Sequence, residues 1–321
     1  MKVLNTMLVS LVRPSIYRSK GLCLALVSGV LFNACDSLPI VDAPSTNFNS
    51  RVNHLVIHFT SEDFERSLAI LTGKAERRVS SHYLLPEAGD QTYSGDVLRV
   101  YSLVPTSERA WHAGRSYWAG KTGLNDQSIG IEIVNRSGCD QDITALGNGA
   151  EFATACEFLP FDTDQIDLLG RLVRQTLAQY PDIRPENIVG HADIAPTRKV
   201  DPGPLFPWKR LFDEGVGAWF DESRVTELVS LMSQHPLTIE QQQASLLAYG
   251  YKVTVTGIED EQSQQAVRAF QMHFRPANYS GFFDNESAAI LISLLERYRP
   301  NVLDKLGGFP PELRKELTPI I

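Results

Sequence analysis

Gly190-His191-Ala192-Asp193-Ile194-Ala195-Pro196-Thr197-Arg198-Lys199-Val200-Asp201-Pro202-Gly203-Pro204 is the segment on which the reading of this chain turns. It sets a His, a Lys and an Asp in a short loop stiffened by Pro196, Pro202 and Pro204, directly after the apolar pair Ile188-Val189. Proline fixes φ and lowers the entropy lost when a loop is ordered, so such a loop holds its polar side chains ready. Neutral imidazole and carboxylate are ligands that suit a catalytic zinc ion. The bland alternative, a polar surface turn, predicts no matching ligand elsewhere, yet one stands upstream. His58 lies in Leu55-Val56-Ile57-His58-Phe59-Thr60, a run rich in β-branched residues that reads as a buried strand. His58, His191 and Asp201 make three protein ligands where zinc prefers four, which leaves one position for water. Zinc lowers the pKa of such a water to about 7. Structural zinc sites are closed and richer in Cys, so this set predicts metal-assisted hydrolysis.

A second strand supplies the next group. In Ser128-Ile129-Gly130-Ile131-Glu132-Ile133-Val134-Asn135 the isoleucines point one way and Gly130, Glu132 and Val134 the other. A carboxylate inside an apolar strand costs free energy unless it is paired, solvated or functional. Glu132, beside a glycine that leaves room for a ligand, reads as the general base that takes a proton from water. Lys199, two residues before Asp201, reads as the group that steadies the oxyanion formed when a carbonyl is attacked. The residues alone reach a zinc hydrolase and stop there.

Five segments carry a resemblance that goes further: Val56-Ile57-His58-Phe59-Thr60, Ser81-His82-Tyr83-Leu84-Leu85, Arg109-Ala110-Trp111-His112-Ala113-Gly114, residues 124–132 and residues 190–204. With these the chain resembles the zinc-dependent type-2 N-acetylmuramoyl-L-alanine amidases, a family that also holds animal peptidoglycan-recognition proteins and phage lysozyme-like amidases. The resemblance implies one Zn²⁺ held by His58, His191 and Asp201, with catalysis by Glu132 and Lys199. The implied reaction is hydrolysis of the amide between the lactyl group of muramic acid and L-alanine of peptidoglycan. It also places Trp111 and His112 beside the substrate groove, with Asn125 lining or capping the cleft. His82 reads as structural, and His54, His235 and His273 as incidental.

Between the motifs, residues 62–72 have apolar positions at helical spacing, and 98–104 read as a strand. Residues 163–179 form a strongly amphipathic pattern with capping candidates Asp162, Thr163 and Asp164. The expected fold is α/β: a mixed central β-sheet with flanking helices over 51–215, its ligands gathered on a shallow groove. Residues 212–219 read as a linker. Beyond it, 223–233, 239–249 and 262–273 read as three helices. Gly250-Tyr251, residues 256–260, 266–271 and 281–287 make residues 222–297 resemble a small peptidoglycan-binding helical domain. Residues 298–321, with Pro300, Pro310, Pro311 and Pro319, read as a tail.

The chain has 321 residues, 43% hydrophobic and 21% charged, as an ordinary globular protein has. A formal net charge of -8 and the lack of a basic patch with interleaved aromatics exclude a nucleic-acid partner. There is no repeat at solenoid period. Residues 1–35 read as a lipoprotein-type signal: Lys2, Arg13, Arg18 and Lys20, an apolar run over 21–32, then Ala34-Cys35. Cys35 is then the lipidated anchor to a membrane, 36–50 a tether, and the protein periplasm-facing, at the outer membrane rather than the inner. Cys139 and Cys156 flank an insertion relative to the family, 137–160, and an exported chain meets an oxidising compartment, so a Cys139–Cys156 disulfide is expected. The competing function class is a non-catalytic peptidoglycan-binding protein. Loss of a zinc ligand would mark it, and all three ligands stand.

Overall fold

The computed structural model describes residues 41–47, 49–139, 152 and 155–303. The signal segment, Cys35 and most of the 298–321 tail lie outside the described residues. Residues 41–47 carry no helix or strand and are exposed. From Asn49 onward the described residues form one compact body.

The centre of that body is a five-stranded sheet. Its strands are β1 (His54–Phe59), β2 (Tyr83–Leu85), β3 (Tyr101–Ser102), β6 (Ser128–Ile133) and β9 (Ile188–Gly190), in the order β3-β2-β6-β1-β9. Two small hairpins, β4 (Tyr117–Trp118) with β5 (Lys121–Thr122) and β7 (Gly138–Cys139) with β8 (Cys156–Glu157), stand apart from it. All pairs in the sheet are parallel except β2 with β3. β1, paired on both sides, is buried along its whole length, which is why Leu55-Val56-Ile57 show no polar alternation. The strand expected over 98–104 shrinks to Tyr101–Ser102. Among the described residues its one partner is β2, which is three residues long, so the flanking apolar residues find no strand there to pair with.

The helix Thr163–Gln179 has the expected bounds. The Asp162 side chain accepts from the Gln165 N–H at its start, a cap worth about 1 kcal/mol. Ile166, Leu169 and Val173 are buried in the core, at roughly 1.5–3 kcal/mol per side chain. The helix Phe64–Leu71 is likewise capped, by Asp63. The expected disulfide is present, joining β7 to β8 at Cys139–Cys156.

The C-terminal part contains the three expected helices, Glu222–Gln234, Ile239–Tyr249 and Glu261–Phe274, and a further one, Asn285–Tyr298. Each starts on a capping side chain: Asp221, Thr238, Asp260 and Asp284. A bracing unit occurs twice. Gln243 accepts from the Gly257 N–H (2.9 Å) and donates to the Ile258 carbonyl and Ser263 Oγ (both 2.8 Å). Gln271 accepts from the Gly281 N–H (2.9 Å) and donates to the Phe282 carbonyl (2.8 Å) and Ser287 Oγ (3.0 Å).

The segment read as a linker is packed instead. Val216, Ala218 and Trp219 are buried, and one apolar core runs from the sheet into the helices. Trp118 of β4 meets Tyr249 and Tyr251 edge-on across this junction. Among the described residues no helix is long and apolar enough to cross a membrane.

His54 carries a stability consequence. It is buried on β1, and its Nδ1 has no hydrogen-bond partner. Burial, aided by the charges of Arg299 and Lys121 and opposed by the Gln127 carbonyl, lowers its pKa to about 4. The unfolded chain therefore takes up this proton first on acidification. The stability is present above about pH 6.5 and is lost as pH falls towards 4, by up to roughly 3 kcal/mol. Chemical denaturation of metal-free protein between pH 7 and 4 is expected to show a shallower decline in His54→Gln than in the parent. Parallel curves would remove His54 as a source.

Candidate metal centre and catalytic groove

Register brings the functional side chains together. In the parallel pair β1–β6, His58 stands opposite Glu132, on strands about 4.8 Å apart. On the other side of β1, Ile57 stands opposite Gly190, so His191 leaves the end of β9 beside His58. The cluster thus sits at the carboxyl ends of parallel strands, where open α/β sheets place their ligands. The loop then folds back: the Ala192 N–H donates to the Asp201 carbonyl (2.8 Å). Glycine is required at 190, because a Cβ there would lie 2.6 Å from Pro202 Cδ.

His58 Nδ1, His191 Nδ1 and Asp201 Oδ2 form a near-equilateral triangle with edges of 3.0, 2.9 and 3.1 Å. All three residues are buried. Hydrogen bonds alone do not account for the triangle. Each Nδ1 has one in-plane direction for a proton or a lone pair and cannot serve two neighbours at once. Lone pairs converging on a common point do account for it. Tetrahedral zinc with bonds near 2.1 Å has edges of roughly 3.4 Å, a few tenths longer than observed.

Protonation states agree with that fit. Burial, only partly offset by Asp201, lowers the His191 pKa to about 4, so the imidazole is neutral. In the metal-free cluster, burial works against ionisation of Asp201, but positive charge and proton donation from His191 and His58 outweigh it and hold the carboxyl well below its usual range; a bound metal would take the place of those protons. Neutral imidazoles with an ionised carboxylate are the forms a metal needs.

The outer ring nitrogens bear on the tautomers. His191 Nε2 lies 3.2 Å from the Ala113 carbonyl, which accepts, and 3.3 Å from the Arg198 guanidinium, which donates, so only the first of these contacts calls for a proton there. His58 Nε2 lies 3.0 Å from His112 Nδ1, and His112 Nε2 lies 3.2 Å from Ser128 Oγ. Ser128 Oγ gives its proton to the Leu124 carbonyl (2.6 Å), so it accepts from His112. His112 must then accept from His58. His58 would then present its Nδ1 lone pair to a metal at the centre, and His191 would do the same with its Nε2 proton given to the Ala113 carbonyl. Partners of this kind orient metal-binding histidines and fix their tautomers.

Glu132 and Lys199 both line the groove over the triangle, a space of about 570 Å³ that also includes Thr60, Arg77, Gly138 and Arg198. Burial, with a smaller push from Asp201, raises the Glu132 pKa to about 7, against the pull of His58 and Lys199. A base poised near neutrality is matched to proton transfer. A larger depression of about 900 Å³ lies elsewhere, lined by Asp90, Asp164, Asp167 and Arg171. It contains none of the clustered donors, so we place the chemistry at the smaller groove.

The other site expectations divide. Trp111 is 51% exposed and is not among the residues lining the groove; its backbone is tied to Ser80. His112 borders the groove but is buried, with both ring nitrogens committed to His58 and Ser128, so its geometry is that of an orienting residue. The room left by Gly130 is room for His112: a Cβ would lie 2.4 Å from that ring. Asn125 does not line the groove. Its side-chain oxygen accepts from the His112 and Ala113 N–H groups (3.1 and 2.7 Å), which holds that segment in place. His82 is structural, accepting from the Gly130 N–H through Nδ1 (3.0 Å). The sequence reading missed Ser128, Asp193, Tyr251 and His273. His273, read as incidental, is buried and paired with Asp193. Only its place on the apolar face of a helix hinted at burial.

Such a donor set at the carboxyl ends of parallel strands, open to a surface groove, fits a hydrolase, and comparison with known proteins gives the class its name. The chain belongs to the N-acetylmuramoyl-L-alanine amidase family, whose model matches residues 48–204. A model for peptidoglycan binding domains matches residues 238–291. The chain is 46% identical over 249 residues to N-acetylmuramoyl-L-alanine amidase AmiD of Escherichia coli K12, covering 77% of this chain and 84% of that protein. The crystal structure of AmpDh3 from Pseudomonas aeruginosa in complex with anhydromuramic pentapeptide superposes with a TM-score of 0.73 at 38% identity, over 81% of this chain and 99% of that one. E. coli AmiD in complex with anhydro-N-acetylmuramic acid-L-Ala-D-gamma-Glu-L-Lys superposes with a TM-score of 0.68 at 43% identity, over 80% and 93%. The protein is a hydrolase of this class, acting on peptidoglycan in cell-wall turnover.

Proposed function

We propose that the protein is a zinc-dependent N-acetylmuramoyl-L-alanine amidase in which His58, His191 and Asp201 hold the ion, Glu132 is the general base and Lys199 steadies the oxyanion. The observation that carries this is the triangle of three buried donor atoms with Glu132 in register beside it. When bound, the ion supplies Lewis acidity to the attacking water and the scissile carbonyl. Glu132 takes the proton of that water at its carboxylate and later delivers it to the departing amine of L-alanine. The Lys199 ammonium, facing the same groove, balances the charge that builds on the carbonyl oxygen. Ser128 and His112 keep the His58 ring turned inward, and Trp111 offers an aromatic face at the surface.

The two neighbouring structures contain anhydromuramyl peptides, and we read substrates of that kind as ones this groove accepts. Residues 51–215 perform the hydrolysis and 222–297 bind the wall. The enzyme works in the periplasm, held by lipid at Cys35. The basic and apolar segments before Ala34-Cys35 support this, as does the Cys139–Cys156 disulfide, which suits an oxidising compartment. The test is digestion of purified sacculi and of anhydromuramyl peptides with zinc-loaded and chelated enzyme, with products identified by mass. Free stem peptides beginning at L-alanine, and glycan free of peptide, are expected only with zinc. Bound but uncleaved sacculi would instead indicate a non-catalytic binding protein.

A further inference from the structure

Asp193 lies between the two parts of the molecule. It is buried, at 2% exposure, and its carboxylate faces three donors. Oδ2 accepts from the Gly190 N–H (2.7 Å) and from His273 Nδ1 (2.7 Å), and Oδ1 accepts from the Tyr251 hydroxyl (2.6 Å). Gly190 is the residue before His191, and Asp193 belongs to the helical turn His191–Ile194. This one carboxylate therefore closes the turn that aims the His191 ring. Two of its three donors come from the C-terminal helical part. They are rigidly held: His273 stacks on Trp208 (3.8 Å between centroids, 14°) and on Phe274, and Tyr251 lies edge-on to Trp118 at 5.0 Å.

A buried carboxylate deprived of donors bears its full desolvation cost and relieves it by moving or by drawing in water. Either response displaces the Gly190–Asp193 turn. We propose that Tyr251 and His273 are positioning residues for the metal centre, acting through Asp193 to hold His191 in its binding geometry. The helical part then completes the catalytic scaffold besides contacting the wall. This inference rests on the assignment of His191 as a metal ligand.

The experiment is a measurement of zinc affinity, by competition with a chromophoric chelator, for the parent, Tyr251→Phe, His273→Gln and the double variant. Melting temperature and kcat at saturating zinc are recorded alongside. Tyr251→Phe keeps the ring in its packing and removes one hydroxyl, so it folds. Gln243→Ala serves as a control for general loosening, since it breaks the bracing of the same helical part away from Asp193. The expected result is a Kd about 10-fold weaker for each single variant and about 100-fold weaker for the double, the scale on which distant partners of metal ligands act. Gln243→Ala lowers the melting temperature and leaves Kd unchanged. Parent-like Kd in both single variants overturns the inference, as does an equal loss in Gln243→Ala. A parent protein that takes up no zinc overturns the metal assignment itself, a separate outcome read from the first sample.

Discussion

Glu132→Gln is expected to lower kcat about a thousandfold while zinc content stays at one ion per chain. General-base catalysis accounts for roughly 10²- to 10⁴-fold in rate, and among the described residues Glu132 is the one carboxylate lining the groove besides Asp201. Asp201 is tied to both histidines and held ionised well below neutral pH, so it cannot take its place. Glutamine keeps the shape and cannot accept the proton. The pH profile gives a second reading. A base works ionised, so the parent rate rises with pH through the pKa of Glu132 and falls in acid. That pKa is about 7 in the metal-free protein, and a nearby divalent cation lowers it, so the acid limb of the zinc enzyme is expected below pH 7. Glu132→Gln loses that limb.

Stability should move the opposite way. The carboxyl of Glu132 is raised from 4.5 to about 7 in the folded state. Between those values the folded chain binds more protons than the unfolded one, so stability falls as pH rises, and above pH 7 the full cost of a buried charge is present. At most it is roughly 3 kcal/mol in the metal-free protein. Metal-free Glu132→Gln is then expected to melt higher than the parent at pH 8. An inactive variant that is also more stable cannot be inactive through unfolding. Undiminished turnover would take Glu132 out of the mechanism.

The parts of this architecture legible in the sequence are those whose causes are local. The helix Thr163–Gln179 is marked by its apolar periodicity and by Asp162 at its start, and the observed bounds agree. β1 and β6 are marked by β-branched runs, and a Glu amid isoleucines stands out because its burial needs a reason. The unreadable parts depend on register and on partners far along the chain. Nothing near His112 says that its ring bonds His58, because that contact follows from Gly130 making space on a strand paired with β1. Asp193 looks like any loop acid until Tyr251 and His273 arrive from the helices. The strand expected at 98–104 failed for the same reason: its apolar content was local, but the length of its partner was not. The two glutamine braces grip segments of the same pattern, residues 257–263 and 281–287, but the glutamine stands 14 residues before one glycine and 10 before the other, so only the hydrogen bonds tie each to its segment.

Replacing the ligands is expected to have the other large effect, graded by distance from the triangle. Asp201→Asn keeps the volume and the backbone bond to Ala192 but removes the only negative charge among the three donors. Zinc binds closed protein sites with roughly 10–16 kcal/mol, so one ligand's share is on the order of 4 kcal/mol, about a thousandfold in Kd. With free zinc buffered between the parent's Kd and the variant's, activity should fall with metal occupancy, and Asp201→Asn should regain part of it in excess zinc because an amide oxygen still points inward. His191→Ala should regain less, since it opens the triangle. His112→Ala, which frees the His58 ring without removing a ligand, should weaken zinc only about 10- to 100-fold. Trp111→Ala, exposed and bonded to Ser80 only through its backbone, should leave zinc affinity unchanged and raise KM. Chelator competition across this series, with melting curves on the metal-free proteins, checks the ordering. Equal affinities in the parent and Asp201→Asn would show that the triangle is held by hydrogen bonds and that the ion binds elsewhere.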